Sequence, residues 1–355
     1  MQDISRRHFL GTAAAFAVTA GLTACGGGNA GGAGSADAGK SGKDYKIEMV
    51  TDTGGVSDQS FNQSSWEGLQ QLEKDNGWTV QYIESKQESD YATNLDKAVD
   101  DGSNLVWGIG FAMADAVAHS AKTNPEVQFA VIDNAFEDAP KNLIGVTFRA
   151  QEPSFLMGYI AARTTKTNKV GFVGGISGVV IDQFDYGYQA GVAYANKEQG
   201  TNVEVQGQYA DSFSDSAKGK AIASKMYSSG CDVVFHAAGG VGAGVIEAAK
   251  EANKFAIGVD RDQAYLAPDN VISSALKRVD KAIVEVSTKI QAGDIEGGTN
   301  IDLGFSEDCV GIPEEHKLID DEVYKAAIEL GDKIKAGDIK PPFNKETYDE
   351  YIKTL

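Results

Sequence analysis

One feature of this sequence constrains its fold more than any other: short apolar segments alternate with segments of helical period, and the series runs twice. In the first series the apolar segments are residues 46–51, 79–84, 104–109, 128–133 and 143–148. In the second series they are residues 169–174, 203–209, 232–237, 255–259 and 271–275. Helices between such strands act as crossovers, so the strands are expected to be parallel and covered on both faces. The sequence therefore predicts an α/β protein with two doubly wound lobes.

The two series begin alike. In each, the first strand runs into a glycine-rich turn, and an aromatic residue follows near the start of the next helix: Phe61 in one series and Phe184 in the other. Ligands of open α/β sheets bind beyond the carboxyl ends of the strands, so two facing lobes would share one cleft. After residue 276 the pattern predicts helices at residues 279–290 and 321–336 and a pair of short strands around residues 301–312.

The first 43 residues are interpreted as an export signal followed by a lipid anchor and a flexible linker. Residues 1–24 have two arginines ahead of a short apolar segment, which is typical of an export signal, and residues 5–10 resemble a twin-arginine signal. The letters LTAC, ending at Cys25, resemble a bacterial lipobox, which predicts cleavage before Cys25 and lipidation of its thiol. Residues 25–43 contain no large apolar residue, so a flexible linker is expected. We therefore expect a lipid-anchored protein on the extracytoplasmic face of the cell membrane.

The charge of the chain excludes one class of partner. Its net charge is −19, and binding phosphates requires clusters of Lys and Arg, so no nucleic-acid partner is expected. Anionic lipid would also repel such a body, which makes a covalent anchor more necessary. Cys231 lies in an apolar strand-like segment, which favours a buried free thiol, although pairing with Cys309 stays open. No residues have the spacing of a metal site.

Three aspartates recur directly after apolar segments: Asp52, Asp133 and Asp260. Taken singly, each is explained by the preference of Asp for turns and helix N-caps. Three at equivalent ends around one cleft favour a ligand site, because carboxylates accept hydrogen bonds from neighbouring hydroxyls or from pairs of N–H groups. A sugar offers the hydroxyls, and guanine or hypoxanthine offers the ring N–H groups. Gly239 lies at another such strand end.

Aromatic residues and one lysine complete the candidate site. Phe61 and Phe213 lie among polar residues, which favours contact with a ligand or an interface, and Phe184 is a weaker candidate. Stacking a planar base on an aromatic ring contributes about 1–3 kcal/mol per base. Lys277 follows the last strand of the second series. It is either a donor to a ribose oxygen or a solvated surface lysine.

An enzyme is not predicted. The glycine runs at residues 171–175 and 239–244 resemble nucleotide-binding loops, but no Lys-Ser/Thr pair follows either. No nucleophile elbow, metal triad or catalytic Cys/His pair is present. His236 near Asp260 offers a base without any nucleophile or electrophile. We therefore expect neither catalysis nor a cofactor.

Several motifs resemble one known family. The segment VTDTGGVSDQSFNQ at residues 50–63 is similar to the opening of the basic membrane protein (Bmp) family of substrate-binding lipoproteins. DVVFHAAGG at residues 232–240, IGVD at 257–260 and LKRVD at 276–280 also match the family pattern. The resemblance implies a periplasmic-binding-protein type I fold, with two Rossmann-like lobes and three hinge crossings.

The resemblance also suggests where the lobes begin and end. Lobe one is placed at residues 44–150 with about 277–310. Lobe two is placed at residues 151–276 with about 311–355.

The resemblance further implies how a base would be held. Phe61 and a lobe-two aromatic, Phe184 or Phe213, would sandwich the base. Asn62 and Asp133 would read its edges.

Similarity to the family implies a ribose subsite and a partner as well. Asp52 would lie beside the base, while Asp260 and Lys277 would hold ribose hydroxyls. The family would make this chain the binding protein of an ABC importer, a monomer that binds a nucleoside, with a purine nucleoside favoured, and docks on a membrane permease. Three alternatives stay open: a lipoprotein sensor that signals to a membrane partner, a sugar or riboflavin as ligand, and a nucleoside-cleaving hydrolase.

Overall fold

Two β-sheets, parallel except for one short edge strand, organise residues 44–355, the part of the chain that the computed structural model describes. The sheet of lobe one contains β1 (Lys46–Thr51), β2 (Thr79–Ile83), β3 (Leu105–Ile109), β4 (Gln128–Ile132), β5 (Leu143–Phe148) and β11 (Thr299–Leu303). The sheet of lobe two contains β6 (Lys169–Gly174), β7 (Glu204–Tyr209), β8 (Val233–Ala237), β9 (Phe255–Asp260), β10 (Val271–Lys277) and β12 (Val310–Gly311). The strand orders are β11-β5-β4-β3-β1-β2 and β12-β10-β9-β8-β6-β7. The prediction of two doubly wound α/β lobes is confirmed.

Helices cover both sheets. Lobe one has α1 (Phe61–Asn76), α2 (Tyr91–Asp100), α3 (Ala114–Thr123) and α8 (Val279–Ala292). Lobe two has α4 (Gln151–Thr164), α5 (Val179–Gln199), α6 (Ser216–Ser228), α7 (Val241–Ala252), α9 (Asp321–Lys335) and α10 (Lys345–Thr354). Helix α10 was not predicted, although Tyr348, Tyr351 and Ile352 recur in it at helical spacing. Tyr348 and Tyr351 are half-buried and pack against the core of lobe two.

Both short strands predicted around residues 301–312 are present, but the prediction that they pair with each other is wrong. Strand β11 pairs in parallel with β5 in the first sheet, whereas β12 pairs antiparallel with β10 in the second. A local pattern identifies a strand but not its neighbour. The chain consequently passes between the lobes three times: after β5, after β10 and between β11 and β12.

One arginine ties the first and third crossings together. Arg149, which follows β5, donates through Nε to Glu152 Oε1 at 2.8 Å. Its Nη1 donates to Asp302 Oδ2 at 2.9 Å, and its Nη2 donates to Glu307. Glu152 also accepts from the backbone N–H of Phe305 at 2.6 Å. These charge-assisted bonds make the two connections one unit rather than independent loops.

The predicted signal and anchor, residues 1–24 and 25–43 with Cys25, lie outside the described residues. Within residues 44–355, no helix is both long enough and apolar enough to cross a membrane. Cys231 and Cys309 are buried and free, so they do not pair with each other.

Candidate ligand-binding cleft

A cavity of about 520 Å³, counting the part that is open to solvent, lies between the two lobes. The loops that form its wall follow the carboxyl ends of strands from both sheets. The structure brings together on this wall all nine residues that the sequence analysis singled out: Asp52, Phe61, Asn62, Asp133, Phe184, Phe213, Gly239, Asp260 and Lys277.

Asp58 fixes the start of α1, on which Phe61 and Asn62 lie. Its carboxylate accepts backbone N–H bonds from Ser60 at 2.9 Å, Asn62 at 2.8 Å and Gln63 at 3.1 Å. These N–H groups are the unpaired donors of a helix N-terminus, where negative charge is favoured. Burial nonetheless raises the pKa of Asp58. The sequence analysis missed this residue, although an aspartate just ahead of a helix is a capping signal.

The side-chain amide of Asn62 has one possible orientation. Its Nδ2 donates to Asp52 Oδ1 at 2.8 Å and to Asp58 Oδ2 at 3.1 Å. Ionised carboxylates only accept hydrogen bonds, so the nitrogen must face them and the oxygen must face away. That oxygen, Oδ1, is buried and has no hydrogen-bond partner among residues 44–355. A buried unpaired acceptor costs about 1–3 kcal/mol, and a ligand donor would remove that cost.

Asp52 and Asp260 are acceptors on opposite lobes; Asp260 is buried and Asp52 is half-buried. Asp52 Oδ1 also accepts from the backbone N–H of Gly54 at 2.8 Å, and burial raises the pKa of Asp52 to about 6. Asp260 accepts a hydrogen bond from Ser60 Oγ across the cleft. Burial raises the pKa of Asp260 to about 6, against the opposing effect of the Lys277 charge. Near neutral pH both carboxylates are therefore mainly ionised, and they would gain from hydrogen bonds to a ligand.

Asp133 and Asp260 have the same unusual backbone conformation. They have φ values of 69° and 65°, in the left-handed region that Asp tolerates better than most residues. Asp133 follows β4, Asp260 ends β9, and these strands hold matching places in the two sheets. The duplication seen in the sequence thus places one carboxylate from each lobe on the cavity wall.

Lys277 is a buried cation, so the alternative of a solvated surface lysine is wrong. Its Nζ lies 2.5 Å from Asp133 Oδ2. The same nitrogen lies 4.6 Å from the ring centroid of Phe61 and 5.2 Å from that of Phe148, within cation–π distance. Among the described residues on the cavity wall it is the only Lys or Arg, and it faces four carboxylates: Asp52, Asp58, Asp133 and Asp260.

The two lobe-two aromatics differ in environment. Phe184 is 2 % exposed, and its ring lies 6.3 Å from that of Phe235 in the core of lobe two. Phe213 is only partly buried and lies over Gly175, where a Cβ atom would come within 2.2 Å of its ring. Phe111, which the sequence analysis missed, meets Phe213 edge to face across the cleft, with 6.3 Å between ring centroids. It is the second residue after the end of β3, so extending the strand-end rule by one residue would have found it.

His236 does not act in the cavity. It is fully buried, and burial lowers its pKa to about 4, so the ring is neutral at physiological pH. Its Nε2 lies 2.9 Å from Gln263 Oε1. The ring is absent from the cavity wall, so His236 is not placed to act as a base on a ligand bound there. Among residues 44–355, no cluster of His, Cys, Asp and Glu side chains is arranged to hold a metal ion.

Two lobes joined by three crossings, with a cavity between them, define the periplasmic-binding-protein type I fold. Residues 46–345 match the Bmp family, described as "ABC transporter substrate-binding protein PnrA-like". The chain therefore belongs to the Bmp family of ABC transporter substrate-binding proteins. Members of this class bind a small molecule and work with a membrane permease; they are not enzymes.

Named relatives agree with this assignment. The chain is 44% identical over 305 residues to the "CD4+ T-cell-stimulating antigen" of Listeria monocytogenes, covering 80% of this chain and 84% of the relative. It is 42% identical over 313 residues to the "ABC transporter nucleoside-binding protein BmpA" of Lactococcus lactis, covering 81% and 88%. Among solved structures, an ABC transporter solute-binding protein from Aeropyrum pernix has a TM-score of 0.79 at 28% identity, covering 87% of this chain and 98% of that one.

Proposed function

We propose that this protein binds a purine nucleoside in the cleft and delivers it to an ABC importer. The observation that carries the proposal is the unpartnered Asn62 Oδ1, held by Asp52 and Asp58 so that only its acceptor is free. Purine rings that carry N–H groups supply the matching donors. The nucleoside-binding relative from Lactococcus lactis supports the same class of ligand.

The aromatic rings would hold the base. Phe61 and Phe213 come from different lobes and both line the cavity, so a planar base between them would contact both lobes at once. We favour Phe213 over Phe184 as the lobe-two ring, because Phe184 is committed to the core of its own lobe. Each stacked ring would contribute about 1–3 kcal/mol. Asn62 and Asp133 would then read the edges of the base, with Asp52 beside them.

The ribose would lie against the charged side of the cavity. Asp260 supplies an acceptor, and Lys277 has N–H donors beyond the one that Asp133 accepts. Gly239, with φ of 55°, closes the wall behind Phe213: a Cβ atom there would lie 3.1 Å from the Phe213 carbonyl oxygen. A ligand that contacts both lobes favours the closed form, because its affinity for that form is higher.

The nucleoside specificity is tested by calorimetry on the purified protein with guanosine, inosine, adenosine and cytidine. We expect tight binding of at least one purine nucleoside and much weaker binding of cytidine, whose smaller base covers less of each ring. Absence of heat with all three purine nucleosides would refute the proposal. Mass spectrometry of small molecules released on denaturation is an independent test, because the mass of a copurified ligand identifies it.

We also propose that Cys25 is lipidated and holds the protein, as a monomer, on the extracytoplasmic face of the membrane. The lipobox-like sequence supports this, and so does the acidic net charge of −19, which cannot by itself hold a protein on anionic lipid. A Cys25→Ser variant is expected to move from the membrane fraction to the soluble fraction, because attachment depends on acyl chains. The matched control is Cys231→Ser, which should stay membrane-bound. Equal membrane retention of both variants would refute the anchor.

A further inference from the structure

The two lobes contact each other outside the ligand cavity, along one segment of each. Gln263 Nε2 donates to the backbone oxygen of Gln59 at 3.0 Å, and Tyr265 Oη donates to Gln59 Oε1 at 2.7 Å. Arg261 Nη1 lies 2.9 Å from Glu67 Oε1. Gln59 and Glu67 belong to lobe one; the other three follow β9 in lobe two. None of the five lines the cavity.

Gln263 is firmly anchored in its own lobe. Its Oε1 accepts from the backbone N–H of Val259 at 3.0 Å and lies 2.9 Å from Nε2 of His236. Its backbone N–H donates to Ser274 Oγ at 3.1 Å. The histidine is neutral and Oε1 is an acceptor, so Nε2 of the ring carries the proton. The side chain is 1 % exposed, and the one donor that it directs out of lobe two reaches Gln59.

Gln59 is the matching element in lobe one. Its φ of 59° lies in the left-handed region, which a residue without a short polar side chain adopts at a cost. It directly precedes Ser60, which donates to Asp260 across the cleft, and Phe61, the first residue of α1, comes next. The bonds from Gln263 and Tyr265 therefore hold lobe one at the point where its ligand-facing helix begins.

We propose that Gln59, Glu67, Arg261, Gln263 and Tyr265 form an interlobe latch that controls how long the ligand stays bound without selecting which ligand binds. The latch bonds need both lobes to be together, so they add to the stability of the closed form. None of the five latch residues lines the cavity, so the bonds between the lobes favour closure equally for every ligand that fits. Their effect falls on dissociation rather than on the first encounter, which takes place with the lobes apart. The choice of a nucleoside as probe rests on the proposed function; the latch itself does not.

The kinetic test compares Tyr265→Phe with Tyr324→Phe, using inosine, guanosine and adenosine as probes. Both changes remove one tyrosine hydroxyl, but Tyr324 Oη donates to Pro313 O inside lobe two. Loss of one such hydrogen bond corresponds to a factor of roughly 2–10. We expect that rise in dissociation rate for Tyr265→Phe and about tenfold or more for the double variant Arg261→Gln/Tyr265→Phe. Association rates and the order of preference among nucleosides should stay unchanged, and Tyr324→Phe should match the parent.

A second measurement needs no ligand. Spin labels on cysteines at the exposed positions Glu73 and Glu251, one on each lobe, report the interlobe distance in the full chain with Cys25→Ser. The double variant is expected to shift the distance distribution toward longer separations in the absence of nucleoside. Dissociation rates and distances equal to those of the parent would refute the latch. If no purine nucleoside binds the parent, the proposed function fails, while the label distances still decide the latch.

Discussion

An Asn62→Asp variant is expected to lose nucleoside affinity by about a hundredfold or more and to lose about 3–5 kcal/mol of unfolding free energy at pH 8. The change turns the side-chain donor that Asp52 and Asp58 share into a third carboxylate. The atoms concerned lie 2.8 Å and 3.1 Å apart in the parent, so two hydrogen bonds become two like-charge contacts. Little water reaches them, because Asn62 is 1 % exposed. Calorimetry measures the first effect and urea denaturation the second.

The loss of unfolding free energy in Asn62→Asp should become smaller as the pH is lowered. Burial and two neighbouring carboxylates would raise the pKa of the carboxyl introduced at position 62 in the folded state above its value of about 3.9 in the unfolded chain. A group with a raised folded-state pKa binds its proton more readily when folded, so lowering the pH favours the folded state. The deficit relative to the parent should therefore shrink between pH 8 and pH 5.

The neighbouring residue provides the control for this experiment. Gln63→Glu makes the same amide-to-carboxylate change one position along α1, where the side chain faces Glu67 at the surface. A like-charge pair on an exposed helix face costs only about 0.2–0.5 kcal/mol. If Asn62→Asp were as stable as Gln63→Glu, or bound nucleoside within tenfold of the parent, the assigned orientation of the Asn62 amide would be wrong.

Much of this site was predictable because it lies at strand ends. The carboxyl ends of parallel strands meet at one edge of a sheet, so Asp52 and Asp133 had to lie along the same edge once their strands were recognised. Asp260 followed from the repetition of the series. Phe111 also lies just after the end of a strand, so its place near the cavity could have been predicted from the sequence.

Other features could not have been read from the sequence. The contacts of Gln59 with Gln263 and Tyr265 join residues about two hundred positions apart, and they depend on how the three crossings orient one lobe against the other. The same holds for the separate sheets of β11 and β12. The spacing of hydrophobic residues indicates which face of a helix or strand is buried. It carries no information about contacts between the two lobes.

Substitutions of the Lys277–Asp133 ion pair can distinguish its contribution to folding stability from its contribution to ligand binding. Lys277→Met is expected to lose about 3–5 kcal/mol of unfolding free energy, since it leaves Asp133 buried beside other carboxylates without its cation. Nucleoside binding should be lost with it. Denaturation and calorimetry on the same preparation measure both effects.

The double variant Asp133→Asn/Lys277→Met makes the distinction. It removes both charges, and asparagine tolerates the left-handed φ of 69° at residue 133, so most of the lost stability should return, to within about 1–1.5 kcal/mol of the parent. Binding should not return, because the ammonium donors and the carboxylate acceptor are both gone. If the double variant bound nucleoside like the parent, the pair would serve the fold alone. Recovery of stability without recovery of binding would instead mean that the buried ion pair serves ligand binding. The fold itself would then be about as stable with an uncharged pair at these two positions.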